Sequence, residues 1–153
     1  MINKLRVRAN SESGFTLVEL LVVMLILGLL AAIAIPAFFN QRDKAKDSDA
    51  KSHARTAQTA LETYSTDHDG SYVGADAAAL ITIEPSLGDA TITDVTVDED
   101  SFSVTTESDT ENTFTIIRDA NSVLDSDCTV EGQGGCPTGG KWAADGPAPA
   151  PVP

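Results

Sequence analysis

The chain has 153 residues, with 10 basic and 23 acidic side chains and a formal net charge of -13. This length accommodates one small domain plus appendages, which argues against a multidomain enzyme. Most of the acidic side chains lie in residues 61–153, which contain eighteen of them and only two basic side chains, Arg118 and Lys141. Such a body repels nucleic-acid phosphates, so we expect no direct nucleic-acid binding by it.

A block of twenty uncharged residues runs from Leu20 to Phe39, after a basic stretch at positions 4–8. At about 1.5 Å per residue it spans about 30 Å, the thickness of a bilayer's hydrocarbon core. The positive-inside rule then places the C-terminal bulk outside the cytoplasm. A single-pass anchor fits the block. A signal peptide cut near Ala32–Ala34 fits less well, because its apolar region usually has about 7–15 residues.

A carboxylate stands just before this block, in the sequence Gly14-Phe15-Thr16-Leu17-Val18-Glu19. Carrying it to the centre of a bilayer costs about 2.5–3.5 kcal/mol. Neither a signal peptide nor a simple anchor requires that cost. Glu19 is explained if it finds a positive partner in a low-dielectric place, such as a free α-amine made by cleavage after Gly14.

The stretch from Gly14 to Pro36 resembles the type IV pilin family, which includes type II secretion pseudopilins and competence pilins. The resemblance covers the leader junction and the whole hydrophobic helix. It implies that a prepilin peptidase cuts between Gly14 and Phe15 and methylates the new Phe15 amine. Glu19 would then neutralise the Phe15 amine of a neighbouring subunit during assembly. The alternative is a Glu19 that merely sits in the headgroup region.

Gly28 and Pro36 both weaken the helix in which they stand. Proline removes a helix hydrogen bond, and glycine destabilises a helix by about 1 kcal/mol relative to alanine. The resemblance implies that the soft segment between them straightens or melts as subunits pack into the filament. The alternative is that membrane helices simply tolerate both residues.

The helical pattern continues beyond the apolar block and is predicted to end near Asp67, with Gly70 as a left-handed cap. We expect one face to pack against a sheet and the other to be solvated. Small and apolar residues mark the first face: Ala50, Ala54, Ala57, Leu61 and Tyr64. Polar residues mark the second: Lys46, Asp49, His53 and Thr56.

A basic cluster lies just beyond the apolar block. It is a solvated face, a site for anionic headgroups, or a contact for the acidic bodies of neighbouring subunits. Its members are Arg42, Lys44, Lys46, Lys51 and Arg55.

A short helix capped by Asp76 and ended near Glu84-Pro85 is predicted next. After it, three stretches rich in Thr, Val, Ile and Phe alternate with period two and predict strands over residues 91–97, 101–106 and 112–118. Phe102, Val104, Phe114 and Ile116 would face inward. The sequence therefore predicts an α+β fold, in which a long N-terminal helix packs on a small antiparallel β-meander, as in pilins.

Cys128 and Cys136 lie in a glycine-rich stretch. In an exported chain two cysteines this close are best explained by a disulfide. The alternative interpretation is a metal site that uses the two cysteines. No further His or Cys stands at ligand spacing, which argues against it. The acidic turns around Asp67 and at 98–100 do not match the spacing of a calcium loop. We expect no metal, no cofactor and no enzymatic activity, since no phosphate loop, nucleophile elbow or histidine-rich site is present in the sequence.

These features divide the chain into five parts. They are a prepilin leader at 1–14, a hydrophobic transmembrane and assembly helix at 15–40, an amphipathic continuation at 41–68, a globular head with a C-terminal disulfide loop at 69–145, and a Pro-rich tail at 146–153.

The resemblance implies a structural subunit of a type IV pilus-like filament, held in the cytoplasmic membrane as a precursor and on the cell surface after assembly. Its partners would be further copies of itself, the prepilin peptidase and the pilus assembly machinery. A pseudopilin of a type II secretion or competence system is the first alternative. A membrane-anchored binding module is the second.

Overall fold

The computed structural model describes residues 15–142, so the predicted leader at 1–14 and tail at 146–153 lie outside the described residues. Internal packing divides the chain into two compact units, the first ending at Phe38 and the second beginning at Phe39. Helix α1 (Leu17–Asp67) contributes its first part to one unit and its second part to the other.

The second part of α1 buries the predicted face of small residues. Ala54, Ala57 and Leu61 have no exposed surface, and Tyr64 is half-buried. The predicted end of the helix is also confirmed, because Gly70 adopts a φ of +90° and donates its N–H to the carbonyl of Ser65 at 2.8 Å. The opposite face is less uniformly solvated than expected: Asp49 is exposed, whereas Lys46, His53 and Thr56 are half-buried.

Helix α2 (Ala77–Ile83) follows, and Asp76 caps it as predicted by accepting the N–H of Ala79 at 2.8 Å. A 3-10 turn, Pro85–Asp89, leads to the sheet. The sheet is an antiparallel meander in sequence order, with strands β1 (Thr91–Val97), β2 (Phe102–Glu107), β3 (Thr113–Arg118) and β4 (Leu124–Cys128). The α+β fold with an antiparallel meander is therefore confirmed.

Strand β4 was not predicted. Its sequence, Leu-Asp-Ser-Asp-Cys, contains two aspartates, which are depleted in strands. It forms because it pairs with β3 along its whole length and lies at the edge of the sheet, where charged side chains are tolerated. Lys141 accompanies it, with its Nζ 2.5 Å from Asp125 Oδ2 and 2.8 Å from Asp127 Oδ1.

The core of the second unit lies between the sheet and α1. Phe102, Val104, Phe114 and Ile116 are buried as their alternation predicts, in one cluster with the alanines of the helix. Thr106 is also fully buried, and its Oγ1 donates to the backbone carbonyl of Ala50 at 2.8 Å. A strand side chain can reach the helix backbone there because alanine leaves the helix surface uncovered.

A disulfide joins Cys128 at the end of β4 to Cys136, as predicted. Replacing both cysteines by serine should lower the free energy of unfolding by roughly 2–3 kcal/mol, because a cross-link across eight residues restricts the unfolded chain. Urea unfolding of the full-length chain in detergent measures the difference. Reduction of the unmodified chain should produce the same loss, and an unchanged midpoint after reduction would contradict the prediction.

Candidate functional site

The first part of α1 begins with a local cap. Thr16 precedes the helix, and its Oγ1 accepts the N–H of Glu19 at 3.2 Å, while its carbonyl accepts the N–H of Leu20 at 3.3 Å. Thr-x-x-Glu at a helix start is the sequence pattern of a capping box, and the bond from the Thr16 side chain to the Glu19 N–H is formed here. The sequence analysis missed this cap, although the spacing of Thr16 and Glu19 indicates it.

Apolar side chains surround this part of the helix and are exposed in the described part of the chain. Every described residue from Phe15 to Phe38 is exposed except Ala31, which is half-buried. Among the described residues α1 is the one helix long and apolar enough to cross a membrane. A contiguous apolar surface of this extent requires a cover of lipid or protein. Its large members include Leu17, Leu20, Leu21, Met24, Leu25, Ile26, Leu29, Leu30, Ile33 and Phe38.

Gly28 and Pro36 both lie inside α1, which stays helical through them. A Cβ at Gly28 would meet no atom within 4 Å, so packing among the described residues does not require a glycine there. Pro36 has no N–H, and the carbonyl of Ala32 therefore loses its helical donor. Glu19 and Gly28 are nine residues apart, which puts them about 180° apart around the helix.

A second polar site, which the sequence analysis missed, lies on the second part of α1. Asp47 has no exposed surface. Its carboxylate accepts the N–H of Gly135 at 2.7 Å, the Oγ1 hydroxyl of Thr110 at 2.5 Å and the Nδ2 of Asn112 at 3.4 Å. Lys51, one turn further along the helix, donates its Nζ to the carbonyl of Gly135. The N–H and the carbonyl of Gly135, a residue of the disulfide loop, thus both bind side chains on one face of α1.

The surroundings of Asp47 favour its charged form. Burial raises the pKa of this carboxyl, but hydrogen bonds from the Gly135 N–H and from the side chains of Thr110, Ser108 and Asn112 together lower it by more. The net pKa lies below its ordinary value. Only the spacing of Asp47 relative to the alanine face, three residues before Ala50, could have indicated a buried carboxylate here.

Asp47 should therefore make the head less stable in acid. A lowered pKa in the folded state contributes stability above the unfolded pKa of about 3.9, and this contribution is lost as the pH falls through the folded pKa. We expect Asp47→Asn to reduce the drop in the free energy of unfolding between pH 5 and pH 2, measured by urea unfolding. Asp49→Asn, at an exposed position on the same helix, is the matched control. Equal pH profiles for Asp47→Asn and the unmodified chain would contradict the prediction.

The predicted basic cluster is split between different partners. Arg42 and Lys44 are exposed, Lys46 Nζ lies 3.4 Å from Asp109, and the Arg55 guanidinium lies 5.4 Å from the ring centre of Trp142. Within the described residues, no group of three or more His, Cys, Asp or Glu side chains is arranged to hold a metal ion.

The described parts define a class of protein: a chain with an exposed apolar N-terminal helix segment and a small α+β unit. A family model described as the prokaryotic N-terminal methylation motif matches residues 9–35. This match confirms the resemblance found in the sequence, in which the N-terminal segment of the chain is similar to that of type IV pilins and prepilins.

Similar proteins include both pilins and secretion-system components. The chain is 41% identical over 59 residues to the type II secretion system core protein G of Pseudomonas aeruginosa, covering 39% of this chain and 42% of that protein. It is 43% identical over 56 residues to the type IV major pilin protein PilA of Myxococcus xanthus, covering 37% and 26%. It is 38% identical over 87 residues to a fimbrial protein of Moraxella nonliquefaciens, covering 54% and 55%.

These alignments span between 26% and 55% of the length of the three relatives. None of the three is named as an enzyme, in agreement with the sequence analysis. No solved structure matches the chain significantly.

Proposed function

We propose that the chain is a structural subunit of a type IV pilus-like filament. Prepilin peptidase cuts the precursor after Gly14 and methylates Phe15, and the subunits polymerise through the first part of α1. The observation that carries the proposal is the uncovered apolar surface of that segment with Glu19 at its start.

The transfer from membrane to filament changes apolar burial little. Lipid covers the segment before assembly, and the helices of other subunits cover it afterwards. The free energy of burying its apolar surface is therefore similar in both states. Polar pairing and close packing must then set the register. Glu19 pairs with the Phe15 amine of a neighbour. Gly28, which no contact among the residues that the structure describes requires, gives a neighbouring helix room to approach.

The precursor lies in the cytoplasmic membrane with the head outside, and the assembled filament stands on the cell surface. Assembly machinery and prepilin peptidase are the partners of this pathway. The head at 69–145 is carried on the outside of the filament, where its acidic side chains meet solvent.

A pseudopilin is the second candidate, and the similarity to a secretion-system core protein favours it. The disulfide loop slightly favours a pilin. Folding that depends on calcium, or neighbouring genes for a secretin and other secretion components, would reverse this order.

Intact mass and N-terminal sequencing of protein sheared from the cell surface test the proposal. We expect a chain that begins at methylated Phe15 and is about 2 Da lighter than its reduced form, because a disulfide lacks two hydrogens. A chain that begins at Met1 and never leaves the membrane fraction would indicate an ordinary anchor and overturn the proposal.

A further inference from the structure

The disulfide loop between Cys128 and Cys136 is poor in groups that could hold it by hydrophobic burial. Its seven residues are Thr-Val-Glu-Gly-Gln-Gly-Gly, and their one apolar side chain, Val130, is half-buried. Cys128 and Cys136 bury the two ends of the loop in the core, but the seven residues between them have little apolar surface to bury. Polar contacts must therefore determine where those seven residues lie.

Both ends of the loop connect to the same helix carboxylate. At the C-terminal end, Gly135 donates its N–H to Asp47 and accepts from Lys51. At the N-terminal end, Asn112 Oδ1 accepts the N–H of Val130 and the hydroxyl of Thr129, each at 3.1 Å. The Nδ2 of the same Asn112 donates to Asp47 at 3.4 Å.

The glycines of the loop match this arrangement sterically. A Cβ at Gly134 would lie 2.2 Å from Asp47 Oδ2, and a Cβ at Gly135 would lie 2.8 Å from the Asp47 Cβ. Gly132 also has a positive φ, of +73°, but the nearest atom to its Cβ position is 3.7 Å away, on Thr138. The backbone at Gly134 and Gly135 therefore lies directly against the helix carboxylate, whereas the backbone at Gly132 does not.

We propose that Asp47 is the positioning residue of the disulfide loop, with Lys51 as its companion. Together the two side chains hold the Gly135 peptide against α1, so that the loop has a fixed place on the head. The sequence requirement is a carboxylate and an amine one helical turn apart, opposite two consecutive glycines. This proposal goes beyond the filament function and does not depend on it.

Proteolysis of the folded full-length chain in detergent tests the proposal. A Glu-specific protease reports on the loop through the exposed Glu131, and mass spectrometry after reduction identifies cleavage at that bond. We expect Asp47→Asn to accelerate cleavage there by at least about tenfold, the ratio that follows from losing a hydrogen bond to a charged group. Asp43→Asn, at an exposed position one turn earlier, should leave the rate within about twofold.

A second pair of variants approaches the same contact from the loop. Gly134→Ala must displace the Asp47 carboxylate and should also accelerate cleavage, whereas Gly132→Ala has a similar backbone strain without the clash and should have a much smaller effect. This pair keeps the test valid if Asp47→Asn does not fold. Equal rates for Gly134→Ala and Gly132→Ala would overturn the proposal.

The dependence of cleavage on urea separates loop release from general destabilisation. Release of the loop alone exposes little surface, so cleavage at Glu131 in Asp47→Asn should depend only weakly on urea. Cleavage at Glu131 that rises with urea as steeply as global unfolding would mean that the loop is released only when the whole head unfolds, and would also overturn the proposal.

Discussion

Glu19→Gln should abolish filaments on the cell surface while leaving the precursor processed and in the membrane. Glutamine has nearly the same size and suits the third position of a capped helix, so the helix start is retained and only the charge is lost. The proposed partner is the Phe15 amine of another subunit, in a place without water. Leaving one charge of such a pair alone destabilises by about 3–5 kcal/mol, which is more than a hundredfold at each subunit contact. Immunoblotting of sheared surface material against whole cells measures the loss.

Thr16→Ala is the matched control for this substitution. It removes the hydroxyl that accepts the Glu19 N–H and weakens the helix start by about 1 kcal/mol, but it leaves the Glu19 charge in place. We expect filaments to persist in this variant. Normal filaments with Glu19→Gln and lost filaments with Thr16→Ala would mean that this end of the helix serves assembly through its cap, and the charge-pair hypothesis would be wrong.

Features that repeat along the chain were predictable from the sequence. On the alanine face of α1, and in the alternation of Phe102 with Val104, apolar residues recur at a fixed spacing. The period of that spacing indicates which side of the element is buried. The pairing of Cys128 with Cys136 was predictable for a different reason, since the described chain contains no competing cysteine.

Features that depend on distant partners could not be predicted in this way. Strand β4 takes its conformation from β3 and from Lys141 rather than from its own residues. The spacing of Asp47 from the alanine face could indicate that it is buried, but its backbone partner Gly135 is 88 residues away. A local pattern cannot show such a partner. Glu19 differs from both, because the partner proposed for it belongs to another subunit and the fold of one chain cannot supply it.

Phe114→Ala should produce the largest loss of stability among single substitutions in the head. The ring has no exposed surface, packs edge to face on Trp142 at 5.7 Å between centroids, and lies 5.2 Å from the Nζ of Lys51. Removing a buried phenylalanine destabilises by about 3–5 kcal/mol, which is a large part of the 5–15 kcal/mol that holds a domain folded. Trp142 is the only tryptophan of the chain, so its fluorescence during urea unfolding reports directly on this contact.

Val123→Ala provides the comparison, because this side chain is 59% exposed and its loss should change the free energy of unfolding by no more than about 0.5 kcal/mol. Phe114→Leu should fall between the two variants, since leucine fills part of the space but cannot make the edge-to-face contact with the indole. A Phe114→Ala chain that unfolds at the same urea concentration as Val123→Ala would contradict the core described above.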